Sequence, residues 1–271
     1  VSYHFLPDGT ALWYEEHGSG LPLVLLQGLQ FPSGFFWSRN LERLSASNRV
    51  IMVDLRGQGL SGKTAGGQTI SQNAADLETF LESLDLTGAM VFGVAFGGLV
   101  ALQYLKDHGP GRLRALGLCE MTPRLVSAPG WDHPTFGDFP EVDAKAYGDA
   151  VRADRGVLDG FLSAAFANPP VGDELATMRG QLQLTPTDTV AALIDDMVRM
   201  DFRNLLTSIQ IPTLLVYGRG NNPVMPGPVG RWLAERIPHS ELVELSGGGH
   251  SVFWEDAAAF DAAVSDFAAR T

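Results

Sequence analysis

Cysteine is almost missing from this chain: of 271 residues only Cys119 is one. An intrachain disulfide is therefore excluded, and so is a thiolate metal centre. Cys119 sits in an apolar, strand-like run, where a buried and inert thiol is expected. No apolar run approaches the ~20 residues that a membrane-spanning helix needs, so no membrane partner is expected. Basic residues are also few. Lys and Arg number 19 against 31 Asp and Glu, a formal net charge of −12. Phosphate backbones are bound by clustered Lys and Arg, and none cluster here, so no nucleic acid is expected. The chain opens VSYHFLPDGT, with no basic segment leading into a long apolar one. No signal peptide is expected, and the expected location is cytoplasmic. No group of side chains has metal-ligand spacing, so neither a metal nor a cofactor is expected. Nothing in the sequence sets the oligomeric state.

What is present is the make-up of an ordinary globular domain. Apolar residues are 45% of the chain and charged residues 18%, enough to bury one large core. Short apolar runs alternate with longer helical patterns. VSYHFLPDGTALWYEEHG reads as a hairpin around Pro-Asp-Gly. LPLVLLQG, RVIMVDLRG, AMVFG, LRALGLCE, PTLLVYG and SELVELSG read as further strands, several apolar throughout as in a strand covered on both faces. Between them lie SQNAADLETFLESLDL, with Ser71 as the expected N-cap, then GGLVALQYLKDHG, PGPVGRWLAERI and DAAAFDAAVSDFAAR as helices. This alternation predicts an α/β fold: a mostly parallel eight-stranded sheet with helices on both faces. One interval breaks the rhythm. Residues 125–211 contain no convincing strand, begin with the Gly-, Pro- and aromatic-rich SAPGWDHPTFGDFP, and continue in helical patterns. They are read as a helical cap inserted into a core of residues 1–124 and 212–271.

Five segments carry chemical signals. LLQGLQ follows the third strand, DLRGQGLSGK the fourth, GVAFGG the fifth, GRGNNPV the seventh and LSGGGHSVFWED the last. In order and spacing they make the chain similar to the α/β-hydrolase superfamily, specifically its lid-containing esterases and lactonases, over nearly its whole length. The resemblance implies that GVAFGG is the sharp strand-to-helix turn that presents a nucleophile. Its middle residue is Ala95, which has no group that can attack. The resemblance also implies that His250 is the general base, and that the backbone N–H groups of Leu29 and Phe96 form the oxyanion hole. The acid is open between two residues. Asn221 stands in the usual acid slot, but an amide cannot stabilise an imidazolium by charge. In comparable triads that change costs about 10⁴ in kcat. Glu120, at the end of the sixth strand, lies where zearalenone-type lactonases take their acid.

Gln27 and Gln58 stand where the superfamily often has histidine. They are read either as keeping a structural hydrogen bond or, for Gln27, as donating to a ligand. Trp131, His133, Phe136 and Phe139 of the cap and Met225 beside the acid turn are the expected walls of a site for a small hydrophobic substrate. GQGLSGKT, residues 57–64, fits the spacing of a phosphate loop, but such a loop must run straight into a helix. AGGQ follows instead, and no nucleotide is expected.

Three functions fit these residues. The first is a hydrolase of a small hydrophobic ester or lactone, working by a Ser-His-acid mechanism and inactivated by alanine at the nucleophile position. The second is an enzyme without a nucleophile, in which His250 is the general base for cyclisation, elimination, isomerisation or cofactor-free oxygenation. The third is a non-catalytic ligand receptor, which leaves the GGGH loop without a reason.

Overall fold

The computed structural model describes residues 2–220, 222–225 and 228–271. Strands β1 (Ser2–Phe5) and β2 (Ala11–His17) form the expected hairpin. Its turn closes through Leu6 N donating to Thr10 O at 2.9 Å and Thr10 N donating to Asp8 Oδ1 at 2.9 Å. The remaining strands are β3 (Leu21–Leu26), β4 (Asn48–Val53), β5 (Ala89–Val94), β6 (Leu113–Cys119), β7 (Thr213–Gly218) and β8 (Ser240–Leu245). They make one eight-stranded sheet in the order β1-β2-β4-β3-β5-β6-β7-β8. Every pairing from β4 to β8 is parallel, and only the hairpin and its junction with β4 are antiparallel.

The helices are α1 (Ser33–Phe36), α2 (Leu41–Leu44), α3 (Ile70–Ser83), α4 (Phe96–His108), α5 (Glu141–Ala153), α6 (Leu158–Ala164), α7 (Gly172–Leu182), α8 (Thr187–Met197), α9 (Val229–Ala234), α10 (Val252–Glu255) and α11 (Ala257–Arg270). The period-two alternation of the strands sorts the core into two layers. Val24 and Leu26 of β3 and Val91 of β5 face a cluster with Leu77 and Phe80 of α3, Val100 of α4 and Leu233 of α9. Leu23, Leu25, Met90 and Phe92 face the other cluster, with Trp37, Leu44, Phe260 and Val264. Apolar runs without polar alternation are what a sheet buried on both sides requires.

Two details differ from the sequence reading. Thr69, not Ser71, caps α3, its hydroxyl accepting from Gln72 N at 3.1 Å. Helix α7 in GDELATMRGQL was not foreseen; its apolar residues are too sparse to signal a buried stripe, and only Met178 and Leu182 are buried. Between β6 and β7 the described residues hold α5 to α8 and one isolated bridge, Ala128 to Trp131, but no strand. No helix among the described residues is long and apolar enough to cross a membrane.

Candidate active site

Parallel neighbours end at the same edge of a sheet, so the loops after β3, β5, β6, β7 and β8 converge there. The turn after β5 is the sharpest. Ala95 has φ 47° and ψ −107°, a conformation that L-residues avoid, and α4 begins at the next residue. Two glycines make this close turn feasible. A Cβ on Gly93 would lie 2.3 Å from Gly97 C, and one on Gly97 would lie 2.6 Å from Leu26 O. Helix α4 therefore packs directly against the backbone of β5 and β3.

The methyl group of Ala95 lines a cavity of about 140 Å³ together with His250 and a set of apolar side chains that includes Phe161, Phe166 and Met197. An apolar cavity of about 150 Å³ is large enough for benzene. Leu29 and Phe96 line the same cavity. Phe136, Phe139 and Met225 are also in its wall, with the two phenyl rings edge to face at 5.4 Å.

Glu120 stands at the end of β6, also at positive φ (47°), and is fully buried. Its Oε1 accepts from Gly218 N at 2.6 Å and its Oε2 from Asn222 Nδ2 at 2.6 Å. The same Oε2 lies 3.6 Å from His250 Nδ1, an ion-pair distance just beyond hydrogen-bond reach. That Nδ1 is buried and has no other partner among the described residues. The phenol of Tyr217 and the thiol of Cys119 are both pushed well up, first by burial and then by the charge of Glu120. Both therefore stay protonated beside the carboxylate. Cys119 is buried and inert, as its setting in the sequence suggested.

The His250 loop is tied to the helical insert. Ser251 N donates to Ala165 O at 2.8 Å. The Glu255 carboxylate accepts from Gly249 N at 2.8 Å, Ala167 N at 3.1 Å and Asn168 N at 2.9 Å. The ring of Phe161 stands edge-on to the imidazole at 5.9 Å. Neither Glu255 nor Phe161 was singled out from the sequence. Glu255 follows GGGH by five residues, close enough to have been considered a loop anchor. Asn222 had been noted only as a neighbour of the acid slot. It bridges Glu120 and Met225 N, which donates to Asn222 Oδ1 at 2.9 Å.

Three residues expected at the substrate wall are not in the cavity lining. Gln27 is fully buried, and with its amide nitrogen turned toward Val53 O (2.9 Å) and its oxygen toward Leu55 N (3.1 Å) both groups are satisfied. Its hydrogen bonds are spent on β4 and the turn after it. Trp131 donates from Nε1 to Arg124 O at 3.0 Å and packs on Trp232 at 4.9 Å. His133 completes that cluster, 5.4 Å from Trp131 and 6.0 Å from Trp232. Packing against Trp232 of α9 holds both away from the cavity. Asn221 lies outside the described residues.

Gln58 accepts from Gln30 N at 2.6 Å through Oε1, a structural role like that of Gln27. The segment with phosphate-loop spacing turns on itself instead: Lys63 Nζ donates to the carbonyls of Gln58, Gly59 and Ser61.

A family model described as alpha/beta hydrolase fold matches residues 22–257. The chain belongs to the alpha/beta hydrolase fold family. Its likeness to individual members of the family is broad. It is 28% identical to a putative non-heme chloroperoxidase of Synechocystis sp., over 91% of this chain and 90% of that one. It is 31% identical to a pimeloyl-[acyl-carrier protein] methyl ester esterase of Chromobacterium violaceum, over 89% of this chain and 92% of that one. Among solved structures, an esterase from Exiguobacterium antarcticum superposes with a TM-score of 0.89 at 25% identity, covering 98% of both chains. These relatives thus match most of the chain.

Proposed function

We propose that this hydrolase-fold chain binds a small apolar ester or lactone over Ala95, and that alanine there removes the nucleophile from a Ser-His-Glu mechanism. The observation that carries the reading is the elbow. Ala95 is held at φ 47° on the floor of an apolar cavity that also contains His250, and His250 lies 3.6 Å from Glu120. Nothing about a methyl group calls for that backbone conformation. A hydroxyl placed to meet an imidazole does. In this reading residues 125–211 are the cap that walls the cavity. The amides of Leu29 and Phe96 are the oxyanion donors, and neither has a protein acceptor among the described residues. Glu120, rather than the Asn221 slot, is the acid, anchored by Gly218 and Asn222.

With serine at position 95 the steps follow. The hydroxyl attacks the carbonyl carbon while His250 Nε2 takes its proton. The oxyanion is held by the two amides, and the alkoxide leaves with the proton from His250. Water then repeats the sequence on the acyl-enzyme. Without the hydroxyl, only binding and the oxyanion donors remain, worth about 10³–10⁴ over water in comparable sites. Full loss of the serine costs about 2 × 10⁶ in kcat.

The test is Ala95→Ser, assayed on p-nitrophenyl acetate and butyrate and on a small lactone. A gain of at least about 10³-fold is expected, given that cost. In that variant Glu120→Gln should lower kcat by about 10⁴, the loss seen when a triad carboxylate becomes an amide. No gain from the hydroxyl would refute the reading.

A second reading rests on a different observation. The couple of His250 and Glu120, held by Asn222, is complete without any group at position 95. In that reading His250 and Glu120 work as a base pair without any nucleophile. Turnover of an enolisable substrate by the Ala95 protein, lost in His250→Ala, is its signature.

A further inference from the structure

A second cavity of about 150 Å³ adjoins the first, and the two share Gln30 and Leu158 in their walls. Its character is opposite. It is lined by Arg155, Arg179, Asp159 and Gln183 along with the shared residues. Arg179 and Asp159 neutralise one another through a two-pronged contact at 2.8 and 3.2 Å. Among the described residues Arg155 has no such partner. Its guanidinium donates to the carbonyls of Leu182 and Thr185, to Thr187 Oγ1 at 3.2 Å and, at 3.5 Å, to Gln30 Oε1. All four acceptors are neutral. Burial pulls its pKa down, and no carboxylate counters that effect. A partly buried cation with only neutral oxygens around it favours an anion, and Nε–H is the guanidinium donor not given to those four acceptors. Gln30, beside this cation, is also the residue after Leu29, the proposed oxyanion donor.

We propose that the second cavity is an anion subsite, and that the substrate is an ester whose apolar body lies over Ala95 and whose far end is a carboxylate facing Arg155. This rests on the ester reading above and narrows it to half-esters of dicarboxylic acids. The apolar chamber takes the ester and its chain. Gln30 and Leu158 form the sill between the chambers. The guanidinium selects the charged end, so a diester of the same length lacks one recognition element.

The Ala95 protein hydrolyses poorly in this reading, so binding can be measured directly by calorimetry at pH 7. Monomethyl adipate and dimethyl adipate are the probes. The half-ester should bind about ten- to a hundredfold tighter than the diester, the worth of a hydrogen-bonded charge. In Arg155→Gln the preference should vanish, read as the ratio of half-ester to diester affinity within that variant. Arg155→Lys, which keeps the charge, should retain part of the preference, and it serves if the glutamine variant does not fold. Equal or weaker binding of the half-ester to the unaltered protein overturns the subsite, with no variant needed. If the diester and p-nitrophenyl butyrate both fail to bind, it is the apolar-ester reading that falls. If both bind and the half-ester gains nothing, only the subsite falls.

Discussion

Replacing Ala95 with glycine should make the protein more stable, the reverse of the usual effect of that change. Alanine at φ 47° and ψ −107° occupies a sparsely populated region, a strain of about 1–3 kcal/mol. Glycine removes it. Against this stand about 0.5–1 kcal/mol for the greater freedom of glycine in the unfolded chain and the loss of one half-buried methyl group, about 0.5 kcal/mol. Taking the middle of each range leaves a net stabilisation of about 1 kcal/mol. Unfolding entropy of about 2.1 cal/mol/K per residue over 271 residues converts this to a rise in Tm of about 2 °C. Thermal and urea unfolding followed by tryptophan fluorescence would measure it. Ala101→Gly is the control. Ala101 is fully buried within α4, so the same change there should cost at least about 1 kcal/mol. Should Ala95→Gly destabilise as much as the control, the elbow is not strained, and the argument that its shape was set for a hydroxyl fails with it.

Other outcomes follow from the same geometry. Gly93→Ala forces a methyl group to within 2.3 Å of Gly97 C and 2.4 Å of Gly97 O. Backbone cannot yield as a side chain does, so the change should cost about 3 kcal/mol or more, read as a lowered urea midpoint. Asp261 is buried against Asn40 and Arg43, and burial pushes it up to about 6 from 3.8. Between those values the native state keeps a proton that the unfolded chain has released, so stability falls as pH rises through this window. The fall attributable to Asp261 is at most about 3 kcal/mol. Asp261→Asn should flatten the difference between unfolding midpoints at pH 4.5 and 7, and an unchanged slope would show that the carboxyl is already ionised.

The sheet was legible because covered strands leave an unbroken apolar signature, as in LPLVLLQG, whose Leu23, Val24, Leu25 and Leu26 alternate between the two core layers. The elbow was legible because Gly93 and Gly97 are required by backbone contacts, which no other residue satisfies. The proposed acid was legible only as a choice. Which residue faces His250 depends on β6 and β7 lying side by side, so that Glu120 meets the Gly218 amide. The walls were the least legible part. Phe136, Phe139, Trp131 and His133 come from one short aromatic stretch, yet the first pair lines the cavity and the second packs on Trp232. Aromatic residues mark burial, not the side on which they are buried. That depended on a tryptophan about 100 positions away in sequence, which local pattern does not reveal. The anchors Asn222 and Glu255 were missed for a similar reason: Asn222 meets a carboxylate about 100 positions away and Glu255 meets backbone amides, and neither partner is marked in the local sequence.

The Glu255 carboxylate holds one amide of the histidine loop and two of the turn after α6. The insert and the loop that carries His250 thus share one anchor. Displacing residues 165–168 would break three ties between them, Ser251 N to Ala165 O and the two amides on Glu255, and leave Gly249 fastened to Glu255. The placement of the imidazole therefore depends on the turn after α6 as well as on its own loop.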